Sequence, residues 1–196
     1  MKYFILLINA VENSDLNEQI SLLLTEKKMD SDDDIDYFKQ TIFTKLPPIL
    51  TISINRTMFI DGIPCKNKCM FPFNYELSVE YSNDSETNSK DYILFSIIVH
   101  IGESIESGHY ISFVAEFNEN GEISKWNEFN DKYVYHVKEN RVIDISFGSD
   151  DYSSAILFYV SRDYLKNITI FNAAYIGGLI KNYIKGVLFS IFSPWI

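Results

Sequence analysis

Basic residues are scarce in this chain, and they form no cluster. The 196 residues include 17 Lys and Arg against 27 Asp and Glu, which gives a formal net charge of -10. Nucleic-acid binding requires clustered Lys and Arg side chains that neutralise phosphates. The composition therefore predicts no nucleic-acid partner and favours a partner with a basic face or tail. A simple contribution to solubility is the alternative explanation of the acidity.

Cysteine is almost absent as well. The chain has two, Cys65 and Cys69, in the segment PCKNKC. Two thiols at this spacing do not make a disulfide scaffold, and a structural zinc site would need a second pair of ligands. We therefore expect no metal and no cofactor. The same scarcity favours a reduced, intracellular setting, in the cytoplasm, the nucleus or both.

Long uninterrupted hydrophobic runs are also missing. The opening MKYFILLINAV lacks the small-residue cleavage pattern of a signal peptide, and we interpret it as a buried strand. Residues 164 to 196 are apolar, but Lys and Gly interrupt them too often to predict a spanning helix. Attachment of this tail to a membrane surface through an interfacial helix remains an alternative.

The residues that are present predict a globular chain with a sizeable core, one domain or a large part of one, because 46% are hydrophobic and 15% aromatic. DLNEQISLLLTE predicts a short N-terminal helix, with Asp15 as its N-cap. The polar segments 30–36 and 81–91 are predicted as loop and turn. Apolar runs and period-two alternation predict strands at 3–11, 50–55, 71–79, 92–101, 109–117, 125–134 and 153–163.

The stretch SGHYISFVAEF places a histidine at the start of an alternating strand. His109 shares its face with Ile111 and Phe113, so it is predicted to point inward. A core histidine satisfied by one hydrogen bond is the plain interpretation. The next strand, KWNEFND, pairs back as a hairpin, which brings Asn130 and Asp131 to the same end. A histidine beside a carboxamide or carboxylate is the arrangement that a cysteine protease needs.

Several separated motifs carry a family resemblance. In order they are LPPIL, FPFNYEL, YILFSIIVHIGE, SGHYISFV, KWNEFND and SSAILFYVSRD. Together they resemble the C-terminal half of a ubiquitin-specific protease catalytic domain. The resemblance implies an α+β fold of the papain-like cysteine protease superfamily, with part of the antiparallel palm sheet, over residues 1–163. It leaves residues 164–196 as an apolar tail of unknown role.

The same resemblance implies roles for three residues at the hairpin end. His109 matches the catalytic histidine, and Asn130 matches the third member of the triad. Asp131 matches an acidic neighbour that can assist. The activity implied is hydrolysis of the bond at the C-terminal glycine of ubiquitin, and the partner implied is ubiquitin or a ubiquitinated protein.

The loop that precedes His109 resembles the family's blocking loop, which closes over the ubiquitin tail. It covers residues 101–108, and His100 matches a histidine common just before it. Gly108 is expected to let the backbone pass close to the Gly-Gly end of ubiquitin. Tyr110 is grouped with these residues as substrate-binding, with packing as the alternative.

The sequence departs from the family at its nucleophile. No Gly-Asn-Thr-Cys box occurs in these residues, and Cys65 and Cys69 fall where the family has a variable hairpin. Arg56-Thr57 replaces the usual Arg-Phe, and Ser107 replaces the first Gly of Gly-Gly-His. We therefore expect a deubiquitinase homologue that does not hydrolyse ubiquitin conjugates by itself. It is either the product of a truncated or split gene or a catalytically inactive relative. A non-catalytic ubiquitin-binding module is the alternative.

Overall fold

The computed structural model of the chain describes residues 4–29, 37–83, 86–149 and 151–169. The predicted acidic loop 30–36 and the apolar segment 170–196 lie outside the described residues.

Strands dominate the described residues, and three helices accompany them. The helices are α1 (Leu16–Leu24), α2 (Glu139–Ser146) and α3 (Arg162–Thr169). The strands are β1 (Ile5–Asn9), β2 (Lys27–Met29), β3 (Tyr37–Lys39), β4 (Ile49–Asn55), β5 (Thr57–Ile60), β6 (Ile63–Lys66), β7 (Glu76–Asn83), β8 (Glu86–Ile101), β9 (His109–Phe117), β10 (Ile123–Asn130), β11 (Tyr133–Val137) and β12 (Tyr152–Ser161).

One large sheet organises the described part of the chain. Its strand order is β1-β4-β12-β8-β9-β10-β11, with β7 paired to the outer half of β8. The β1–β4 pair is parallel and the other pairs of this sheet are antiparallel. Two separate two-stranded sheets, β2–β3 and β5–β6, lie outside it.

The centre of the sheet follows the predicted pattern. Residues 92–100 of β8 are buried without interruption, as expected for an apolar strand covered on both faces. In β9 the alternate residues Ile111, Phe113 and Ala115 are buried, whereas Tyr110 and Glu116 are exposed. The predicted inward face of the histidine-bearing strand is therefore confirmed.

The predicted N-terminal unit is also confirmed. β1 is followed by α1, and the Asp15 side chain accepts a hydrogen bond from the Glu18 amide at 2.9 Å. The Ser14 hydroxyl donates to the Glu18 carboxylate at 2.7 Å. Leu16 and Ile20 are buried, so the apolar face of the helix packs on the core.

The prediction of turn material at 81–91 is wrong. β7 continues to Asn83 and β8 begins at Glu86, so these residues form the end of a long hairpin. Most residues of this outer part are exposed to solvent on both faces of the hairpin, which explains their polar composition. A polar composition therefore did not indicate a loop here. The preceding strand starts at Glu76, later than the predicted start at residue 71.

The predicted single strand 125–134 is wrong, because β10 ends at Asn130 and the chain turns into β11, which pairs back with it.

The hairpins β2–β3 and β5–β6 and the helices α2 and α3 were not predicted either. The β5–β6 hairpin turns at Asp61 and Gly62, both with positive φ, and Asp-Gly is a strong hairpin signal. α2 packs Val142 into the core, and α3 does so with Leu165. The predicted boundary at residue 163 therefore falls inside α3. Within the described residues no helix is both long and apolar enough to cross a membrane.

One edge of the large sheet collects several strand ends. β4 and β8 finish there at Asn55 and Ile101, and β9 begins there at His109. β10 finishes at the same edge with Asn130, because it is antiparallel to β9. The fold thus brings chain segments far apart in sequence to one edge.

Candidate active site

The side chains of His109 and Asn130 meet at this edge. His109 is the first residue of β9 and Asn130 the last of β10, and the antiparallel register pairs Ser112 with Phe129 beside them. His109 Nε2 lies 2.7 Å from Asn130 Oδ1, a hydrogen-bond distance. The predicted juxtaposition of these two side chains is found.

This hydrogen bond determines which ring nitrogen of His109 carries the proton. An amide oxygen can only accept, so Nε2 is the donor and Nδ1 keeps its lone pair. Nδ1 makes no hydrogen bond within the described residues. His109 is partly exposed at the start of β9. Such an imidazole is oriented by one neighbour and can accept a proton through its other nitrogen.

Asp131 is not brought to the histidine in the same way. It lies in the turn between β10 and β11 with φ of +51°, and its side chain is exposed. It makes no hydrogen bond to His109 within the described residues. Asn130 is therefore the residue that orients the ring in this structure, and the assisting role of Asp131 stays a prediction.

His100 lies beneath the loop that leads to His109. The side chain is buried, and its ring centre is 4.9 Å from that of Tyr110. Burial lowers the pKa of His100, and the nearby Lys66 ammonium lowers it further, against a hydrogen bond to the Ser107 backbone that raises it. The neutral ring is therefore favoured. The predicted substrate-binding roles of His100 and Tyr110 stay predictions.

Gly108 is packed tightly against the chain's own residues. A Cβ at this position would lie 2.1 Å from His100 Nε2 and 2.5 Å from the Ile101 carbonyl oxygen. Gly102 is similar, because its Cβ would lie 2.9 Å from the Ser107 carbonyl oxygen. Both glycines thus let the two ends of the loop close around His100. This internal contact is a reason for glycine that the sequence argument, based on a bound ubiquitin tail, did not include.

Two cationic side chains, Arg56 and Lys66, are buried, which was not predicted from the sequence. Arg56 donates to the carbonyl oxygens of Cys69 at 2.5 Å and Phe147 at 3.1 Å. Lys66 donates to those of Gly102 at 2.6 Å and Asp151 at 3.0 Å. Arg56 had a signal, since it follows a strand directly and occupies the family's Arg position. Lys66 had none, because a lysine in a polar segment ordinarily faces solvent.

Neither cysteine is connected to the histidine. The Cys65 thiol donates to the Met58 carbonyl at 3.6 Å, and both cysteines are partly buried and free. No hydrogen bond joins either thiol to His109 within the described residues. The same part of the chain contains no group of three His, Cys, Asp or Glu residues suited to a metal ion.

Replacing Asn130 by alanine should release the His109 ring from its single tautomer. Without the amide acceptor, the proton distributes between both nitrogens as in free imidazole. Long-range proton–nitrogen NMR at a pH where the ring is neutral reports this distribution. Asn127→Ala is the matched control, because Asn127 donates to Glu116 at 2.8 Å and should leave the His109 spectrum unchanged. Equal spectra for the wild type and Asn130→Ala would contradict the assignment.

Comparison with protein-family models gives a match to "Ubiquitin carboxyl-terminal hydrolase" over residues 7–159. Among curated relatives, ubiquitin carboxyl-terminal hydrolase 4 of Arabidopsis thaliana is 29% identical over 117 residues, 59% of this chain and 30% of its own. Ubiquitin carboxyl-terminal hydrolase 10 of Rattus norvegicus is 24% identical over 165 residues, 80% of this chain and 19% of its own. The chain thus spans less than a third of the length of these relatives.

Solved structures agree on the fold. The Ubp8 structure in the SAGA DUB module with Sgf11, Sus1 and Sgf73, bound to monoubiquitin, matches with a TM-score of 0.63 and 22% identity. The match covers 80% of this chain and 35% of that one. The predicted papain-like α+β fold, with part of a ubiquitin-specific protease domain, is confirmed. Because the family model covers most of its residues, this chain belongs to the ubiquitin carboxyl-terminal hydrolase family.

Proposed function

We propose that this chain is the histidine-bearing part of a deubiquitinase active site. His109 would act as the general base, and Asn130 would hold its ring plane and its tautomer. The observation that supports this most directly is the 2.7 Å contact between His109 Nε2 and Asn130 Oδ1, which leaves Nδ1 available.

The chemistry requires a thiolate. The His109 imidazole takes the thiol proton, and the thiolate sulfur attacks the carbonyl carbon of ubiquitin's C-terminal glycine. The C–N bond to the acceptor lysine then breaks, and the imidazolium gives its proton to the departing amine. Water, deprotonated by the same imidazole, hydrolyses the resulting thioester. The thiol would come from outside these 196 residues, since neither Cys65 nor Cys69 forms a hydrogen bond with His109 among the described residues.

Binding of ubiquitin would use the same edge of the sheet. We place its C-terminal glycines beside the loop 102–107, with His100, Gly108 and Tyr110 as the residues that shape the path. The formal charge of -10 favours a partner with a basic tail. These contacts would give this chain affinity for ubiquitin without turnover, in an intracellular setting.

A calorimetric titration with ubiquitin tests the binding part of the proposal. We expect saturable binding that weakens when ubiquitin lacks its two C-terminal glycines. Ubiquitin bearing a C-terminal electrophile should bind without forming a covalent adduct. Absence of any binding would overturn the proposal, and labelling of Cys65 or Cys69 would overturn the assignment of the nucleophile to another segment.

A non-catalytic ubiquitin-binding module is the second candidate. The observation that favours it is the lack of a Gly-Asn-Thr-Cys box in the sequence. The two candidates separate when a polypeptide that carries such a box from a relative is added in trans. Hydrolysis of a ubiquitin–fluorophore amide that disappears in His109→Ala supports the enzyme part. Ubiquitin binding that His109→Ala leaves intact, with no hydrolysis under any combination, supports the module.

A further inference from the structure

The loop 102–107 is held from inside the molecule by one lysine. Lys66 is 7% exposed, and its Nζ donates to the carbonyl oxygens of Gly102 at 2.6 Å and of Asp151 at 3.0 Å. The Gly102 amide also donates to the Asp151 carbonyl, at 2.8 Å. The start of the loop and the residue before β12 are thus joined by one backbone hydrogen bond and by one buried ammonium group that bonds both carbonyls.

This position is unfavourable for a lysine unless it has a specific use. Burial lowers the pKa of Lys66, and the neighbouring Arg56 and Lys68 lower it further, against a smaller opposite effect of Asp151. Lysine is almost never fully buried without partners. Here the hydrogen-bond acceptors of the ammonium are two backbone carbonyls from segments that are far apart in sequence. The side chain therefore fixes backbone geometry.

The fixed backbone is the base of the loop that ends at His109. Gly102 and Gly108 approach each other there, since a Cβ on Gly102 would lie 3.1 Å from the Gly108 Cα. The His100 ring occupies the space beside both glycines, since a Cβ would lie 3.4 Å from its Cε1 at Gly102 and 2.1 Å from its Nε2 at Gly108, and the Lys66 charge is close enough to lower the pKa of that ring. Lys66, His100 and the two glycines thus form one packed cluster, which we call the loop base.

Lys66 also connects the loop base to an element outside the large sheet. It is the last residue of β6, which pairs with β5 in a separate hairpin. That hairpin exposes Phe59 and Ile63 to solvent, whereas Lys66 at its end is buried. The contact of this hairpin with the loop base therefore includes the two Lys66 hydrogen bonds.

We propose that Lys66 is a positioning residue that holds the loop 102–107 in the conformation that receives the C-terminal glycines of ubiquitin. The identity of the ligand rests on the proposed function, whereas the mechanical role of Lys66 rests on the geometry of the loop base. Loss of the ammonium would remove its two hydrogen bonds and leave the Gly102 amide bond to the Asp151 carbonyl as the remaining direct link, which would let the loop shift relative to His100 and His109.

Lys66→Met tests this role, and Lys68→Met is the matched control, because Lys68 is an exposed lysine two residues away with the same charge. In Lys66→Met we expect the Gly102 amide proton to exchange with solvent about tenfold faster or more, because its surroundings open. Ubiquitin affinity should fall by about tenfold. Lys68→Met should change either quantity by less than about twofold. Equal behaviour of the two variants would overturn the proposal.

Two readouts separate positioning from general stabilisation. The pKa of His100, followed by its ring NMR signals, should rise in Lys66→Met, since a nearby positive charge is lost, and should stay unchanged in Lys68→Met. Lys66→Arg keeps the charge and the donors, and it should restore slow exchange at Gly102. A faster exchange in both Lys66 variants, with no change in the His100 titration, would refute a positioning role.

A measurement on the unmutated protein covers the case in which Lys66→Met does not fold. The Lys66 ammonium protons should exchange slowly and give a resolved NMR signal with a coupling to the Gly102 carbonyl, whereas Lys68 should give none. A Lys66 ammonium that exchanges as fast as Lys68 would refute the proposal. If the wild type does not bind ubiquitin, the proposed function fails, while the exchange and titration experiments still decide the role of Lys66.

Discussion

Replacing Arg56 by methionine should lower the free energy of unfolding by about 3 to 5 kcal/mol, the range for breaking a buried charged network. Arg56 is 7% exposed, and its guanidinium donates to the carbonyls of Cys69 and Phe147 and lies 6.0 Å from the centre of the Phe71 ring. Methionine fills much of the volume but removes the guanidinium donor from the Cys69 carbonyl oxygen and leaves the Phe147 carbonyl oxygen with the Phe71 amide alone. Urea unfolding followed by circular dichroism measures the loss.

Arg162→Met is the control for this experiment. Arg162 pairs with Glu76 at the surface, where their side chains are 40% and 75% exposed. Exposed pairs of this kind contribute about 1 kcal/mol or less. A loss in Arg56→Met as small as that in Arg162→Met would show that the buried arginine does not connect β4 to the segments that it contacts.

Replacing Gly108 by alanine should destabilise the protein by about 3 kcal/mol, at the upper end of the usual range for overpacking. The added Cβ would lie 2.1 Å from His100 Nε2 and 2.5 Å from the Ile101 carbonyl oxygen, so ring and backbone must both move. Because this shift occurs next to His109, ubiquitin affinity should fall as well. Urea unfolding and ubiquitin titration measure the two effects.

Gly62→Ala is the control, because no heavy atom lies within 4 Å of its added Cβ and only its φ of +79° disfavours alanine. That conformation costs about 1 kcal/mol. A second test combines Gly108→Ala with His100→Ala, which removes the ring contact but leaves the Ile101 carbonyl. The double variant should be more stable than the sum of the single effects predicts. Strict additivity would mean that the ring is not the obstacle.

The histidine-bearing hairpin was predictable because its information is local. Alternation at period two sets the inward face of β9, and a short turn sets the register with β10. Those two facts are enough to bring His109 and Asn130 to one edge of the sheet. The same logic could not separate Asn130 from Asp131, since the choice depends on a turn conformation in which Asp131 has positive φ.

The loop base was not predictable, because its contacts are long-range and involve backbone atoms. Lys66 bonds carbonyl groups that lie 36 and 85 positions away in the chain. Every residue has a backbone carbonyl, so no pattern of side chains in the sequence predicts which carbonyl will accept a hydrogen bond from Lys66. The outer part of the β7–β8 hairpin, within 81–91, was mispredicted for a different reason: its residues have the composition of a turn, but the two strands pair with each other there.

The strand order also has a consequence for synthesis of the protein. β12 lies between β4 and β8, although it is the last in sequence of the described strands. Before residues 152–161 have been synthesised, the edges of β4 and β8 that will flank β12 have no native partner. Both strands are rich in apolar residues. Unpaired edges of this kind associate readily with other chains. Until β12 is made, the exposed edges of β4 and β8 are therefore the parts of this sheet most open to pairing with another chain.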